Sequence, residues 1–267
     1  MTDLNKLLKW FDDKDKVLVS LSGGVDSALV AYAANKKLGK NAIAVTADYK
    51  TLSSEELDSA KLVASEIGIT HHLIEYSELE NENFVQNDNK RCFYCREELS
   101  KELIKLSNSL GIETIVDGTQ SDDMGDYRPG INALHENGIR SPLLEMKFTK
   151  ELVRKTAKHV GLSIYDKPSN SCLASRIPWG QRVTAETLVR IELSEKIIKQ
   201  KTGIQQVRVR DIDGLARIEV QSDKLALLDD VQMKNEIFSK LKMIGFSDVE
   251  INPNGYVSGN LNVILEN

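Results

Sequence analysis

Ser20-Leu21-Ser22-Gly23-Gly24-Val25-Asp26-Ser27 stands between an apolar run, Val17-Leu18-Val19, and a run of helix formers, Ala28-Leu29-Val30-Ala31-Tyr32-Ala33-Ala34. The first run reads as a buried strand and the second as a helix, so the octapeptide is the turn of a strand–turn–helix unit. Gly23 and Gly24 permit positive φ and bring the backbone close to a ligand. Ser22 and Ser27 add hydroxyl donors. The free N–H groups of the following helix favour an anion at the turn, and phosphate is the natural guest. The stretch is not a Walker A loop, because no Gly-x-x-x-x-Gly-Lys-Ser/Thr occurs. Two glycines with an Asp/Ser helix cap would also make an ordinary turn. The full hexapeptide after a hydrophobic strand favours a bound phosphate.

Working outward, residues 1–14 read as a short amphipathic helix with Leu4, Leu7, Leu8 and Phe11 on one side. Asn41 to Thr46 is a second strand ending in Ala47-Asp48, and Ser53 or Ser54 caps a helix that Gly68 stops. His71 to Glu75 and Thr114 to Gly118 are strands, Ile139 to Leu144 is a candidate fifth, and Arg96–Leu110 and Lys150–Val160 are helices. This alternation predicts an α/β fold with a doubly wound parallel sheet and right-handed crossovers. Ligands of such sheets sit beyond the carboxyl ends of the strands, where the glycine turn, Ala47-Asp48 and Gly118-Thr119 all fall. The pattern changes after Pro168: residues 168–183 lack periodicity and read as a loop. A long helix follows from Thr184 to about Lys201. Gln206–Arg210 and Leu215–Val220 then form a hairpin through Asp213-Gly214, followed by a helix, Val231–Ile244, and short strands at Val249–Ile251 and Leu261–Leu265. The expected organisation is an α/β domain over residues 1–170, an active-site loop over 171–183, and a smaller α+β domain over 184–267. A domain that small packs on the first or on another copy, so a homo-oligomer is expected.

The chain has 267 residues, enough for a sizeable core, and a net charge of −5 that argues against a broad nucleic-acid surface. Met1 to Lys6 carry charge at once, which predicts no signal peptide, and no apolar run approaches membrane-spanning length. A cytoplasmic protein with no membrane partner is expected. Three cysteines in a reducing compartment are free thiols, metal ligands or reactive groups. Cys92 and Cys95 form a CxxC pair placed before a helix, which can chelate a metal, form a redox pair or do neither. A four-cysteine zinc site is excluded by count, whereas three thiolates suit a [4Fe-4S] cluster with one iron left open. Cys172 lies near Lys167 and Arg176, which would stabilise a thiolate; a buried structural cysteine is the alternative. Arg208 and Arg210 alternate on one strand, with Arg217 on the facing one, an arrangement suited to phosphate or carboxylate but also to a solvated face. Asp122, Asp123 and Asp126 could hold Mg²⁺ or simply line an acidic loop. His71 and His72 point to opposite faces of a strand and read as structural.

SGGVDS is similar to the PP-loop of the ATP pyrophosphatase superfamily, which has an adenine nucleotide alpha hydrolase-like fold. Together with Arg91-Cys92-Phe93-Tyr94-Cys95, Asp117-Gly118-Thr119, Tyr127-Arg128-Pro129-Gly130, Ser141-Pro142-Leu143, Cys172 to Pro178, Val207 to Arg210 and Leu215 to Glu219, it resembles the LarE family over nearly the whole chain. That family comprises ATP-dependent sulfur transferases of nickel-pincer nucleotide biosynthesis. The resemblance implies a small-molecule nucleotide substrate, pyridinium-3,5-biscarboxylic acid mononucleotide, whose carboxylates are adenylated and converted to thiocarboxylates with release of pyrophosphate and AMP. It implies ATP and Mg²⁺ at Ser20, Ser22, Gly23, Gly24, Asp26, Ser27, Ala47, Gly118 and Thr119. Ser175, Arg176, Arg208, Arg210 and Glu195 are implied for substrate, with Glu195 also a candidate metal contact. Some members sacrifice the sulfur of one cysteine and lack the CxxC pair. Others with three cysteines carry a [4Fe-4S] cluster fed by sulfide or another sulfur donor. Cys92 and Cys95 place this chain with the second group, so Cys92, Cys95 and Cys172 are expected to be both catalytic and cluster ligands. A sacrificial role for Cys172 and a cluster-bearing tRNA thiolase are the alternatives.

Overall fold

The computed structural model describes residues 3–125 and 129–257. In chain order the helices are α1 (Asp3–Lys9), α2 (Val25–Leu38), α3 (Ser54–Ile67), α4 (Glu82–Val85), α5 (Arg91–Leu110), α6 (Pro129–Glu136), α7 (Pro142–Glu145), α8 (Lys150–His159), α9 (Ala185–Thr202) and α10 (Val231–Ile244). The strands are β1 (Val17–Ser20), β2 (Ala42–Asp48), β3 (Thr70–Glu75), β4 (Thr114–Val116), β5 (Val207–Ile212), β6 (Leu215–Val220) and β7 (Asp248–Ile251). Two compact units divide the chain: Met1–Glu78 with Cys92–Asn170, and Leu79–Arg91 with Ser171–Asn267.

The first unit is the expected α/β layer structure. Its four strands are all parallel in the order β3-β2-β1-β4, with Val17 opposite Ala42 on one side and Thr114 on the other. The strand pleat explains why helices cover both faces. Val17 and Val19 of β1 enter one core with Leu29, Ala33 and Val153, from α2 and α8, while Leu18 enters a second with Leu99 and Leu103 of α5. Ser53 caps α3 by accepting from the Glu56 N–H, and Gly68 closes it in the left-handed region at φ 72°.

Two local expectations are corrected. Ile139–Leu144 is not a fifth strand. Arg140 makes a single parallel bridge to Val116, and Pro142, which has no N–H to donate to a ladder, opens α7 instead. The CxxC pair does not precede its helix: α5 begins at Arg91, five residues before the expected start at Arg96, so both cysteines lie in its first turns. Asp88 favours the early start, accepting from the Lys90 and Arg91 N–H groups through Oδ1 and its carbonyl.

In the second unit, β5 and β6 are antiparallel and β7 runs parallel to β6, giving a mixed three-stranded sheet. Asp213 and Gly214 both take positive φ, 48° and 90°, which matches the right-handed twist of the hairpin they join. Val207, Val209, Ala216, Ile218 and Val220 turn inward against Ile198, Ile237 and Leu241 of α9 and α10. The opposite face carries Arg208, Arg210, Arg217 and Glu219. The candidate strand at Leu261–Leu265 lies outside the described residues.

Candidate active site

In the first unit the glycine turn sits at the carboxyl end of β1. Gly23 takes φ 77°, and a Cβ there would lie 2.3 Å from the Glu56 carbonyl oxygen, so no other residue fits. Its own carbonyl accepts from Ser59 Oγ and Lys167 Nζ, each at 3.0 Å. Lys167 also pairs with Glu56 at 3.0 Å, and Asn170 donates to the same carboxylate at 3.2 Å. Ser27 Oγ accepts from the Ser22 N–H at 3.1 Å and donates to the Gly24 carbonyl at 3.1 Å, which folds the turn over the start of α2. Gly24 is different. Its φ of −92° suits any residue, and the nearest atom to an added Cβ is Ser22 Oγ at 3.6 Å. The fold leaves room at Gly24 that a bound group would use.

Asp26 stands in the first turn of α2. Its Oδ2 accepts from Lys150 Nζ at 2.5 Å, while Oδ1 is buried without a partner among the described residues. Burial holds the Asp26 carboxyl above the ordinary aspartate range, and the nearby Lys150 charge only partly offsets this. A hard oxygen with one open acceptor site fits Mg²⁺ or a polar group of a bound nucleotide.

Gly118 follows β4 and presses on the same helix start: a Cβ there would lie 2.6 Å from the Ser27 nitrogen. Its approach is fixed by Asp117, which accepts from Thr119 Oγ1 at 2.5 Å and from Ser141 Oγ at 2.6 Å. Ala47 is buried at the end of β2, and the neighbouring Thr46 hydroxyl donates to the Leu21 carbonyl at 2.7 Å and meets His71 Nε2 at 2.8 Å. Asp122 Oδ2 accepts from the Lys150 N–H at 2.8 Å and Asp123 Oδ2 from the Gln120 N–H at 3.0 Å. Asp126, Tyr127 and Arg128 lie outside the described residues.

Cys92 and Cys95 are one helical turn apart on α5 and so share a face. Cys95 is buried and Cys92 half-buried, and neither is in a disulfide. Tyr76 lies by Cys95; burial, and then that thiol, hold its hydroxyl well above the usual phenol range. This turn can offer two sulfurs to a cluster. Within each unit, the described residues hold no group of three or more His, Cys, Asp and Glu side chains placed for a metal ion.

In the second unit Cys172 opens a short 3₁₀ turn, Leu173–Arg176. Arg176 is fully buried. Its Nε and Nη2 donate to the two Glu195 oxygens at 2.8 and 3.0 Å, and Nη1 donates to the Ser171 and Cys172 carbonyls at 2.6 and 3.0 Å. Burial works against the Arg176 charge, but Glu195 outweighs it and holds the guanidinium above its ordinary value. Glu195 Oε1 also accepts from the Val209 N–H at 3.1 Å on the edge strand β5. Arg176 and Glu195 thus tie the Cys172 loop to α9 and the sheet.

Arg210 donates to Glu219 at 2.9 Å and to the Ser175 carbonyl at 2.9 Å, and Ser175 Oγ donates to the Cys172 carbonyl at 2.7 Å. Arg208 lies over the Tyr256 ring at 5.5 Å; burial, and then the Arg176 charge, push its guanidinium below the ordinary value. Arg217 contacts Glu250.

Two residues to which the sequence assigns no role complete the loop. Asn87 is fully buried at φ 58° and donates to the Pro178 and Gln181 carbonyls at 2.7 and 2.8 Å. Arg91 donates to Asn87 Oδ1 at 2.5 Å and to the Ala174 carbonyl at 2.9 Å, and lies over Trp179 at 4.5 Å. Lys150 was also missed. A lysine in the first turn of a helix opposes the helix dipole, and that anomaly was its one local signal.

The family model described as asparagine synthase matches residues 11–99, the span holding the glycine turn. An uncharacterized protein of Synechocystis is 41% identical over 98% of this chain and 97% of its own. The pyridinium-3,5-bisthiocarboxylic acid mononucleotide synthase of Lactiplantibacillus plantarum is 31% identical over 95% of this chain and 91% of its own. A tRNA-specific 2-thiouridylase of Rickettsia africae is 24% identical over 69% of this chain and 60% of its own. The glycine turn at β1 and the end-to-end similarity to the mononucleotide synthase agree: the chain belongs to the LarE family of ATP-dependent sulfur transferases.

Proposed function

We propose that this enzyme activates a carboxylate of pyridinium-3,5-biscarboxylic acid mononucleotide with ATP and converts it to a thiocarboxylate. The observation that carries the reading is Asp26, half-buried in the first turn of α2 beside the glycine turn, with one carboxylate oxygen buried and unpartnered among the described residues. Ser20, Ser22, Gly23, Gly24 and Ser27 hold the β- and γ-phosphates through backbone N–H groups and hydroxyls. Asp26 takes Mg²⁺, which when bound neutralises charge on the phosphates. Ala47, Gly118 and Thr119 complete the nucleotide side of the site. A substrate carboxylate oxygen attacks the α-phosphorus, the bond to the β-phosphate oxygen breaks, and pyrophosphate leaves. The resulting acyl-adenylate has AMP as a good leaving group, and a sulfur nucleophile displaces it at the acyl carbon.

Arg208 and Arg210 bind the phosphate or carboxylates of the substrate. An anion beside Arg208 would offset both its burial and the repulsion from Arg176. Ser175, Arg176 and Glu195 contribute by fixing the loop that carries Cys172. Cys92, Cys95 and Cys172 are proposed as ligands of a [4Fe-4S] cluster, which when bound supplies a nucleophilic sulfide. The similarity to the thiouridylase is lower and shorter, and the net charge of −5 runs against an RNA partner.

The test is anaerobic assay of the whole chain with MgATP, sulfide and the mononucleotide, scored by AMP release and product mass, beside iron and sulfide analysis. AMP and thiocarboxylate are expected with wild type and neither with Asp26→Ala. Each Cys→Ala variant should lose iron. An active protein without iron whose Cys172 has lost the mass of H₂S would assign the sulfur to that side chain. Absence of AMP with this acid would sink the substrate.

A further inference from the structure

A tight turn follows β7 and ends on Tyr256. Asn252 begins it: its N–H donates to the Ile218 carbonyl at 2.9 Å, and its side-chain oxygen accepts from the Asn254 N–H at 3.1 Å. The Gly255 N–H donates back to the Asn252 carbonyl at 3.1 Å, and the Tyr256 N–H donates to the Val220 carbonyl at 2.7 Å. The chain is thereby held against β6. Gly255 makes the close approach possible. It takes φ 69°, and a Cβ there would lie 2.8 Å from the Val220 carbonyl oxygen, so another residue would displace the turn. Core packing does not account for this construction. Tyr256 is half-buried, and its ring meets Arg208, on the face of the sheet opposite the core of α9 and α10.

The Arg208 guanidinium lies 5.5 Å from the ring centroid, within the range of a cation–π contact. The same turn is tied to the next arginine of the strand. Asn252 Nδ2 donates to Glu219 Oε1 at 3.1 Å, while Arg210 Nε donates to Oε2 at 2.9 Å. Arg176, Arg210 and Arg217 each face a carboxylate, which cancels charge. An aromatic face acts differently. It attracts a guanidinium and fixes its plane, yet leaves the full positive charge for an anion. Arg208 is buried and is repelled by the Arg176 charge, so its orientation needs such a hold. We propose that Tyr256 is a positioning residue for the substrate, its ring holding Arg208 oriented to receive an anionic group of the mononucleotide. This inference rests on the substrate role of Arg208 proposed above and adds to it the residue that aims the guanidinium.

Calorimetry on the whole chain tests it through a double-mutant cycle. Tyr256→Leu removes the ring and should weaken the mononucleotide by roughly tenfold, the loss of one desolvated cation–π contact. Tyr256→Phe keeps the aromatic face and should bind nearly as wild type does. MgATP should bind alike to all three. In an Arg208→Ala background, Tyr256→Leu should cost nothing further, because the ring has no guanidinium left to hold. A ring that only supports the sheet, or that touches substrate by itself, would lose affinity equally in both backgrounds, and that result would overturn the proposal. Repeating the cycle with nicotinamide mononucleotide, which has the phosphate and no carboxylate, separates the two anions. A coupling that persists supports the phosphate as the ligand of Arg208, and one that vanishes supports a carboxylate. If Arg208→Ala weakens the mononucleotide and Tyr256→Leu does not, this inference falls and the role of Arg208 stands. If Arg208→Ala binds it as wild type does, or wild type does not bind it, that role is overturned and the inference with it.

Discussion

Lys150 and Arg176 both hold a carboxylate, in different units and in opposite ways. Lys150 is partly exposed and sits on one oxygen of Asp26, whose other oxygen has no partner among the described residues. Arg176 is wholly buried, grips both oxygens of Glu195 and spends its remaining donors on the loop of Cys172. An ion pair with an open acceptor and a partly exposed cation can exchange partners. A saturated, dry pair is committed to architecture, because moving either partner strands a buried charge. The same chemistry of opposite charges thus leaves an acceptor open in one unit and anchors a loop in the other.

The largest expected effect tests the anchoring side. Arg176→Ala leaves Glu195 buried without its counter-charge, and destabilisation of about 3–5 kcal/mol is expected in urea denaturation. Arg176→Lys should recover only part, since an ammonium cannot reproduce the two-pronged contact. A loss under about 1 kcal/mol would mean that the pair is relaxed and hydrated, and the contrast with Lys150 would disappear.

Asn87 sharpens the same side with a smaller effect. It reaches the Cys172 loop from the segment 79–91 through the Pro178 and Gln181 carbonyls, and it orients Arg91 toward Ala174. Asn87→Ala removes these bonds and places an ordinary residue at φ 58°. A loss of about 2–3 kcal/mol is expected, with Asn87→Gly less damaging because glycine accepts that backbone. Equal losses for the two variants would show that backbone strain contributes nothing there.

What the sequence revealed follows the range over which each signal acts. The glycine turn lies in eight consecutive residues, and the parallel sheet in period-two strands alternating with helices. Asp213-Gly214 announced the hairpin because both residues accept positive φ. The misjudged strand at Ile139–Leu144 and late helix start at Arg96 are boundary effects, decided by Pro142 and Asp88. The Lys150–Asp26 pair spans 124 residues, and Asn87 reaches Gln181 across 94, so neither leaves a local pattern. Arg176 shows a further limit. Polar density around Cys172 looks the same in sequence whether the donors face a ligand or, as here, are consumed by Glu195 and nearby carbonyls. The cysteine spacing identified a pair but set it before the helix that in fact begins at Arg91, and it left the third thiol to experiment.

The smallest expected effect probes the exchange-ready side through pH. Burial, more than the Lys150 charge offsets, raises the Asp26 carboxyl above its ordinary value of 3.8. The folded chain therefore binds this proton more tightly than the unfolded chain does. Asp26's contribution to stability is fully present below 3.8 and is lost as pH rises through the raised folded value. Asn at this position does not titrate. In the absence of nucleotide, the urea midpoint of Asp26→Asn should therefore gain on wild type as pH rises from below 3.8 through the raised folded value. Wild type with saturating MgATP should reverse the trend, because a metal or phosphate partner favours the ionised carboxylate and stabilises only the folded state. If Asp26→Asn instead loses ground as pH rises without nucleotide, the contact with Lys150 outweighs burial. The pair would then be an anchor like that of Arg176 and Glu195, and the distinction between the two cations would fail.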